Sequence, residues 1–380
     1  MNLQSKLPHV GTTIFSKMSA LAQQHGALNL AQGFPDYETD PYLIELVNRY
    51  MKDGFNQYAF MSGVLPLRER IAEKVWNTHQ VRVDIQDEIT VTAGGTQAIF
   101  TAIATVVEKG DEVLIFEPAY DCYAPTVELF GGRVVPVALL APDFSIDWEY
   151  VKSLVNEKTK LIIINNPNNP TGKRLGKEDI NALAAIVTSS HTFVLSDEVY
   201  EHIVFDGHQP YSLLAHPILR ERSFVIASFG KLLHVTGWKV GYCIAPPVLT
   251  KEFRKIHQYT VFSVHTAVQM AIAEYLENPE IYLSLGDFFE EKRNYLIEGI
   301  QSSKFTVLPS QGTYFLNIDY AAISDEPELL FAERLIVEKK IALIPISAFY
   351  TENLNQHILR VCFAKKAETL VQAVDLLNNI

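Results

Sequence analysis

Short apolar runs alternate with helical patterns between residues 88 and 246. Several of these runs are apolar at nearly every position, which is typical of strands covered on both faces of a sheet. Helical patterns separate them, for example at 96–107 and 177–189, and this alternation predicts strand–helix–strand units. The seven runs are EITVTAG, DEVLIFEP, RVVPVALL, KLIIINNP, TFVLSDE, SFVIASFG and KVGYCIAP. We therefore predict an α/β fold in which helices flank a mostly parallel seven-stranded sheet.

The pattern changes after Pro279. A long helical pattern continues to Gln301 and is followed by FTVLPSQGTYFLNIDY, a helical pattern at 327–338, IALIPIS, HILRVCFA and a final helix. Mixed strands and helices of this kind predict a smaller α+β domain. The first 40 residues are too short to fold alone and are expected to pack against it. We predict a large domain at 42–282 and a small domain made of 1–41 and 283–380.

Composition and charge narrow the function classes. The chain has 380 residues, of which 48% are hydrophobic and 20% charged, so it can build a core and shows no signature of disorder. The net charge of -12 disfavours binding to nucleic acid or to anionic membranes. Three widely spaced cysteines fit neither a disulfide framework nor a metal site. With no secretory leader and no long apolar run, we expect a cytoplasmic protein.

Ligands of open α/β sheets bind beyond the carboxyl ends of the strands, and polar groups follow several of the predicted strands. Gly94 and Gly95 follow the first strand, and a helix is expected to start at Thr96. The free N–H groups of such a helix start could hold a phosphate. Glycine is also the residue that leaves a strand with the least backbone strain, so this strand end alone does not establish a phosphate site.

Two further strand ends carry groups that could face a ligand. The loop NNPNNPTG presents four asparagines, and its proline and asparagine content is equally typical of a simple turn. Asp197 ends another strand, with Tyr200 three positions on. A carboxylate there is costly unless paired, although Asp197 could instead cap a helix. The four asparagines are Asn165, Asn166, Asn168 and Asn169.

Two cationic side chains are the remaining candidates for ligand contact. Lys231 follows an apolar strand and precedes two leucines, surroundings that disfavour the ammonium form, and Ser228 and Lys239 flank it. Arg360 lies inside an apolar strand of the small domain, where its guanidinium suits a carboxylate. An internal salt bridge would account for Arg360 equally well.

One ligand accounts for four of these strand ends, and its substrate accounts for the fifth. The ligand needs a phosphate cradle, an acidic partner for a ring nitrogen, a phenol and an amide for a ring oxygen, and an amine for an aldehyde. These requirements indicate pyridoxal 5'-phosphate.

The motifs also resemble, over essentially the whole chain, those of the fold-type I pyridoxal-phosphate aminotransferases of class I/II. Within them the chain is similar to the branch of methionine aminotransferase and kynurenine/glutamine transaminase. The motifs are QGFPDY, NQYAFMSGVLPLRERIA, AGGTQA, EPAYDCYAP, NNPTG, SDEVYEH, SFGK with TGWKVGY, and HILRVCFAKK.

The resemblance implies a role for each motif residue. Lys231 would bind the cofactor covalently and then move the proton between the substrate Cα and the cofactor. Asp197 would keep the ring nitrogen protonated, and Tyr200 and Asn169 would bind the ring oxygen. Tyr120 would stack on the ring. The phosphate would be held by Gly95, Thr96, Ser228 and Lys239, with Gln97 as a further candidate.

The resemblance also implies a homodimer with shared active sites. Tyr58 would reach the phosphate of the neighbouring subunit's cofactor. Arg360, helped by Asn169 and the backbone of Gly33, would bind the substrate α-carboxylate. The chain departs from some relatives in having Lys239 where they have an arginine. It departs again at Leu232, where they often have a polar residue.

The segments 12–15 and 258–265 are expected to line the side-chain pocket, and neither contains an arginine that would select a dicarboxylate. This favours transfer of an amino group from a neutral, bulky amino acid to a 2-oxo acid, the donors being methionine, aromatic amino acids, or kynurenine or glutamine. The alternatives are β-elimination from cysteine conjugates and a non-catalytic aminotransferase-like regulator. The histidines are scattered without a metal-ligand spacing, so we expect no metal site, and only His234 and His265 fall near the expected pocket.

Overall fold

The computed structural model describes residues 3–380, and the elements below refer to that range. The strands are β1 Leu28–Asn29, β2 Ile89–Thr92, β3 Glu112–Glu117, β4 Arg133–Ala138, β5 Thr159–Asn165, β6 Phe193–Asp197, β7 Ser223–Ser228, β8 Gly241–Ile244, β9 Thr306–Val307, β10 Phe315–Asp319, β11 Ile341–Ala342, β12 Ile344–Pro345 and β13 Ile358–Cys362. The α-helices are α1 Ile14–His25, α2 Pro41–Lys52, α3 Leu65–His79, α4 Gly94–Val106, α5 Tyr123–Leu129, α6 Trp148–Leu154, α7 Lys177–Thr188, α8 Pro217–Arg220, α9 Phe229–Leu232, α10 Pro247–Thr260, α11 Thr266–Tyr275, α12 Glu280–Leu283, α13 Leu285–Gly299, α14 Glu328–Lys339 and α15 Ala367–Asn378. Three short 3₁₀ helices cover Leu213–Ala215, Thr236–Trp238 and Ile346–Phe349.

The central sheet contains the seven predicted strands in the order β2-β8-β7-β6-β5-β3-β4. Strand β8 runs antiparallel to both of its neighbours, and the other neighbouring strands are parallel. Every residue of β3 is buried, as are nearly all residues of β5 and β7. Helices on both faces account for this burial, because a strand covered on two sides must be apolar throughout. The predicted α/β architecture is confirmed.

A second, antiparallel sheet has the order β12-β13-β10-β9 and is built from residues 306–362. Near it, β1 pairs in parallel with β11, so Leu28 lies opposite Ile341. The amino-terminal segment is therefore bonded to the carboxyl-terminal part of the chain. This pairing supports the division into 42–282 and 1–41 with 283–380, which stays a prediction. Residues 1–2 of the predicted small domain lie outside the described residues.

Two helix boundaries differ from the sequence prediction. The helix expected at 96–107 begins at Gly94, whose φ of +79° lets the chain turn directly from β2 into α4. The long helical pattern that ends near Gln301 is divided into α12 and α13, which meet at Ser284. The hydroxyl of Ser284 donates to the carbonyl of Glu280 at 2.7 Å, a local bond that competes with regular helix geometry.

No helix between residues 3 and 380 combines the length and the apolarity that a bilayer crossing demands. The cytoplasmic location stays a prediction.

Candidate active site

The polar strand ends meet in one cavity of about 290 Å³ at the carboxyl edge of the central sheet. The cavity lies where this edge faces the second sheet, so residues more than 100 positions apart share it. The predicted residues that line it are Gly33, Gly95, Thr96, Tyr120, Asn169, Asp197, Tyr200, Ser228, Lys231, Lys239 and Arg360. Of the predicted site residues, Gln97 and Tyr58 are not part of its lining.

The start of α4 forms one end of the cavity. Ala93 precedes this helix and provides no side-chain cap, so the first N–H groups have no side-chain acceptor at the N-cap. A Cβ at Gly95 would lie 3.0 Å from the side chain of Val199, so a larger residue there would push against Val199. Ser228 and Lys239 lie next to this helix start, because a Cβ at Gly95 would be 4.0 Å from Ser228 Cβ and a Cβ at Gly94 would be 3.4 Å from Lys239 Nζ. Hydroxyl, ammonium and helix N–H groups together fit a phosphate.

Gln97 is the phosphate candidate on α4 that does not line the cavity. Its side chain accepts a hydrogen bond from the backbone N–H of Ala93 and donates one to Thr101 at 2.6 Å. Its Nε2 also lies 3.2 Å from Nδ1 of His257 on α10, so the amide is bonded to neighbouring protein groups.

Asp197, the last residue of β6, is 3% exposed. Burial raises the pKa of its carboxyl to about 6, while the hydrogen bond from Tyr123 opposes this rise. The Tyr123 hydroxyl donates to Asp197 Oδ2 at 2.6 Å, and the N–H of Val199 donates to Oδ1 at 3.3 Å. No helix of the described chain begins directly after Asp197, so the alternative role as a helix cap is wrong.

Tyr200 lies in the turn after β6 and is 4% exposed. A buried ion pair supports this turn, because Lys74 Nζ on α3 lies 2.5 Å from Glu201 Oε1. Burial alone would raise the pKa of Glu201, but the charges of Lys74 and His202 lower it below its usual range. The pair therefore fixes the turn that places Tyr200 beside the cavity.

Lys231 lies on the short helix α9, directly after β7. Its amine donates hydrogen bonds to the Tyr314 hydroxyl at 2.9 Å and to the carbonyl of Gly33 at 3.3 Å. Burial lowers the pKa of the amine to about 8. An appreciable fraction is therefore unprotonated near neutral pH, as a nucleophile or base requires.

Arg360 projects from β13 and is 1% exposed. Its guanidinium donates to Asn169 Oδ1 at 2.7 Å and to the carbonyl of Ala31 at 2.9 Å, and it lies 3.9 Å from the ring centre of Phe315. The buried Nε has no hydrogen-bond partner. Across residues 3–380 it forms no ion pair, so the internal salt bridge considered above is wrong.

The four asparagines of the loop form two pairs that differ in their position relative to the cavity. Asn166 accepts from the N–H of Leu175, and Asn168 accepts from Thr171, so this pair shapes the turn. Asn165 and Asn169 line the cavity instead. Asn165 Oδ1 accepts the backbone N–H of Asn169 at 2.6 Å and so sets the position of Asn169 beneath Arg360. Asn165 Nδ2 donates to the carbonyl of Asp197 at 2.8 Å, so Asn165 also shapes the loop, and a contact between Asn169 and a ligand stays a prediction.

The cavity as a whole fits pyridoxal phosphate and a carboxylate substrate. It offers an amine for the aldehyde, a buried carboxyl for the ring nitrogen, a phosphate cradle and an arginine with an unpartnered N–H. Among residues 3–380, no three His, Cys, Asp or Glu side chains are grouped to hold a metal ion.

Comparison with known proteins identifies the family. The family model "Aminotransferase class I and II" matches residues 26–377. The chain belongs to the class I and II aminotransferases. This family is dependent on pyridoxal phosphate, and its substrates are amino acids and 2-oxo acids.

Relatives and solved structures extend this result over the full chain. The chain is 47% identical to the methionine aminotransferase of Escherichia coli (strain K12), covering 99% of this chain and 98% of that protein. It is 33% identical to kynurenine–oxoglutarate transaminase 1 of Mus musculus, covering 94% and 93%. A crystal structure of Escherichia coli YbdL, described as a methionine aminotransferase, superposes with a TM-score of 0.98 at 46% identity and covers 100% of both chains. The predicted family and the predicted enzyme class are confirmed.

The two segments expected to line the side-chain pocket of this aminotransferase differ in position. Phe15, from 12–15, lines the cavity and lies 5.3 Å from the Arg360 guanidinium. Residues 258–265 do not line the cavity of their own chain. His265 instead caps α11 by accepting from the N–H of Val268, and His234 Nδ1 lies 3.3 Å from the Tyr37 hydroxyl.

Sequence analysis missed two tyrosines of the site, Tyr123 and Tyr314. Their hydroxyls contact Asp197 and Lys231, which lie 74 and 83 positions away in the sequence. Each is a polar tip within an apolar or aromatic stretch, a signal that indicates a buried hydrogen bond without revealing the partner.

Replacing Tyr123 with Phe should raise the pKa of Asp197 above about 6, because a hydrogen bond to the ionised carboxylate is lost. The carboxylate predominates only above its pKa, and in the predicted role of Asp197 it would be needed to hold the protonated ring nitrogen of the cofactor. The low-pH limb of the profile of kcat/KM against pH should therefore move upward by about one pH unit.

The control is Tyr350→Phe, which removes a hydroxyl bonded to the carbonyl of Leu139 at 2.6 Å, outside the cavity. An unshifted low-pH limb in Tyr123→Phe, matching this control, would show that Tyr123 does not set the ionisation of Asp197.

Proposed function

We propose that this aminotransferase moves the amino group of a neutral, bulky amino acid to a 2-oxo acid, with pyridoxal phosphate bound at Lys231. The donors are methionine and aromatic amino acids, with kynurenine or glutamine as further members of the range. The observation that carries this proposal is the cavity's single unassigned cation, Arg360, set among aromatic rings. The names of the relatives, methionine aminotransferase and kynurenine–oxoglutarate transaminase, support the same donor class.

The charge of the cavity favours a donor with one carboxylate. Its cationic side chains are Lys231, Lys239 and Arg360. We assign Lys231 to the cofactor aldehyde and Lys239 to the phosphate, which leaves Arg360 for the α-carboxylate. Phe15 and Phe315 lie within 5.3 Å and 3.9 Å of its guanidinium and offer apolar surface to a side chain. A second carboxylate on the donor would have no cation of its own.

The chain's own residues divide the remaining tasks. Gly95, Thr96, Ser228 and Lys239 would hold the phosphate, and Tyr120 would hold the ring face. Asp197 would keep the ring nitrogen protonated, while Tyr200 and Asn169 would bind the ring oxygen. When bound, the cofactor supplies an electron sink for the bond broken at the substrate Cα.

Lys231 is the residue that would move the proton. Burial lowers the pKa of its amine to about 8, so the neutral amine can accept a proton from the substrate Cα near physiological pH. Arg360 would hold the substrate carboxylate, and Asn169 Oδ1, bonded to Arg360 at 2.7 Å, fixes the orientation of the guanidinium.

A panel of amino acids tests the donor range. With the cofactor-loaded protein and a common 2-oxo acid, methionine and phenylalanine should show higher kcat/KM than aspartate, because the cavity offers one cation for one carboxylate. The measurement is the initial rate of 2-oxo acid formation at matched donor concentrations.

Lys231→Ala is the control that ties this activity to the cavity. It should keep the fold and lose transamination. A preference for aspartate over methionine would contradict the donor class, and normal turnover in Lys231→Ala would contradict the site.

Arg360→Ala should lower kcat/KM for methionine, because the substrate carboxylate would be buried without its partner. The loss should correspond to about 2 kcal/mol or more of transition-state stabilisation. Arg334→Ala is the control, since this arginine pairs with Glu326 away from the cavity. Equal kcat/KM values for the two variants would show that Arg360 does not bind the substrate.

We also propose a homodimer in which Tyr58 completes the neighbouring subunit's cavity. Tyr58 is 84% exposed and is absent from the lining of its own cavity. Phe60 and Tyr259 are 81% and 88% exposed, and the ring of Phe262 lies 5.3 Å from that of Tyr58. So many exposed aromatic rings in one region support a protein interface.

Mixing two defective variants tests the shared site. Tyr58→Ala and Lys231→Ala should each be weakly active or inactive. Their mixed dimers should carry one intact site, so random reassociation should restore about a quarter of wild-type activity. Activity no greater than the sum of the separate variants, or a monomeric mass in sedimentation, would contradict the shared site.

A further inference from the structure

The hydroxyl of Tyr314 contacts the reacting amine of the proposed site. Tyr314 Oη lies 2.9 Å from Lys231 Nζ and 2.6 Å from the carbonyl oxygen of Gly33. Lys231 Nζ also lies 3.3 Å from the same carbonyl. The amine, the phenol and the carbonyl therefore form a closed triangle of hydrogen bonds.

The direction of each bond follows from the hydrogens available. A carbonyl oxygen can only accept, so the single hydrogen of the Tyr314 hydroxyl is given to Gly33. Towards Lys231, the phenol oxygen can then only accept, and Lys231 must donate. The phenol thus has a fixed role in relation to the amine.

The same reasoning orients the amine. A neutral amine has two N–H hydrogens and one lone pair. When the hydrogens are given to Tyr314 Oη and to the carbonyl of Gly33, the lone pair lies on the side away from both. This lone pair is the part of Lys231 that accepts a proton.

We propose that Tyr314 is a catalytic residue of this protein, which holds Lys231 Nζ against Gly33 so that the amine lone pair is directed to the substrate proton. This role rests on the proposed function, since it deepens the task assigned to Lys231.

The surroundings hold Tyr314 in place for this role. It is 1% exposed, and its ring packs edge-on against Tyr200 at 5.1 Å between ring centres. Gly33 lies so close to Phe315 that a Cβ would be 2.7 Å from the ring, so only glycine brings its carbonyl here. The next residue is tied down as well, because Lys365 Nζ donates to the carbonyl of Phe34 at 2.9 Å.

A merely structural role for Tyr314 can be separated from this one. Tyr320 is also buried, at 0% exposure, and its hydroxyl donates to the carbonyl of Glu326 at 2.6 Å. Tyr320→Phe therefore removes a bond of the same kind and length as Tyr314→Phe, without a contact to Lys231. It serves as the matched control.

The first measurement is the pH dependence of Lys231 acetylation in cofactor-free protein, followed by mass spectrometry from about pH 6 to about pH 10. An acceptor oxygen stabilises the ammonium form, so its removal in Tyr314→Phe should move the midpoint downward by about one pH unit. Tyr320→Phe should keep the wild-type midpoint.

The second measurement is steady-state turnover of the cofactor-loaded variants with methionine. Tyr314→Phe should lose about tenfold or more in kcat with little change in KM, because the amine is no longer oriented. A fluorinated tyrosine at position 314 keeps the shape of the side chain and weakens its oxygen as an acceptor. It should shift the acetylation midpoint in the same direction by a smaller amount.

The proposal is overturned if Tyr314→Phe, or the fluorinated variant when Tyr314→Phe does not fold, gives the same midpoint and the same kcat as Tyr320→Phe. Acetylation needs neither cofactor nor substrate, so its result is separate from the outcome of the amino-acid panel.

Discussion

The structure depends on burying three ionisable side chains in one cavity without pairing them with each other. Lys231, Asp197 and Arg360 form no ion pair anywhere in residues 3–380. Burial of unpaired charge is costly, and the chain offsets part of this cost with hydrogen bonds to or from neutral groups. The Tyr123 hydroxyl donates to Asp197, and the Tyr314 hydroxyl accepts from Lys231. A ligand of complementary charge would lower the remaining cost.

The fold supplies these groups from two sheets. The central sheet brings Asp197 and Lys231 to one edge, since β6 and β7 are parallel neighbours. The second sheet adds Arg360 on β13. The contact between Arg360 and Asn169 joins the two sheets across the cavity, over 191 positions of sequence. The site is therefore a property of the packed chain and of neither sheet alone.

The sequence predicted those features that depend on residues close together in the chain. The seven strands were readable because a strand buried on both faces must be apolar throughout, and Lys231, Asp197 and Arg360 stood out as charges next to or inside such runs. Partners such as Tyr123 and Tyr314 were missed because their contacts depend on packing between distant segments. Gln97 lies outside the lining of the cavity, and its amide is bonded to Ala93, Thr101 and His257, a set of contacts that the sequence does not reveal. The start of α4 was placed two residues late because Gly94 can turn inside the helix boundary.

The pairing of β1 with β11 has a consequence for the order in which the cavity forms during synthesis. Gly33 lies four residues beyond β1, yet its neighbours Tyr314 and Phe315 belong to the last fifth of the chain. Closing so long a loop carries an entropic penalty that is recovered only once the distant partners exist. The cavity residues between Gly95 and Lys239 leave the ribosome well before Tyr314 and Phe315, so the part of the cavity beside Gly33 can form only when synthesis is nearly complete. In the order of synthesis, the residues proposed to hold the phosphate therefore precede Arg360, the residue proposed to bind the substrate carboxylate.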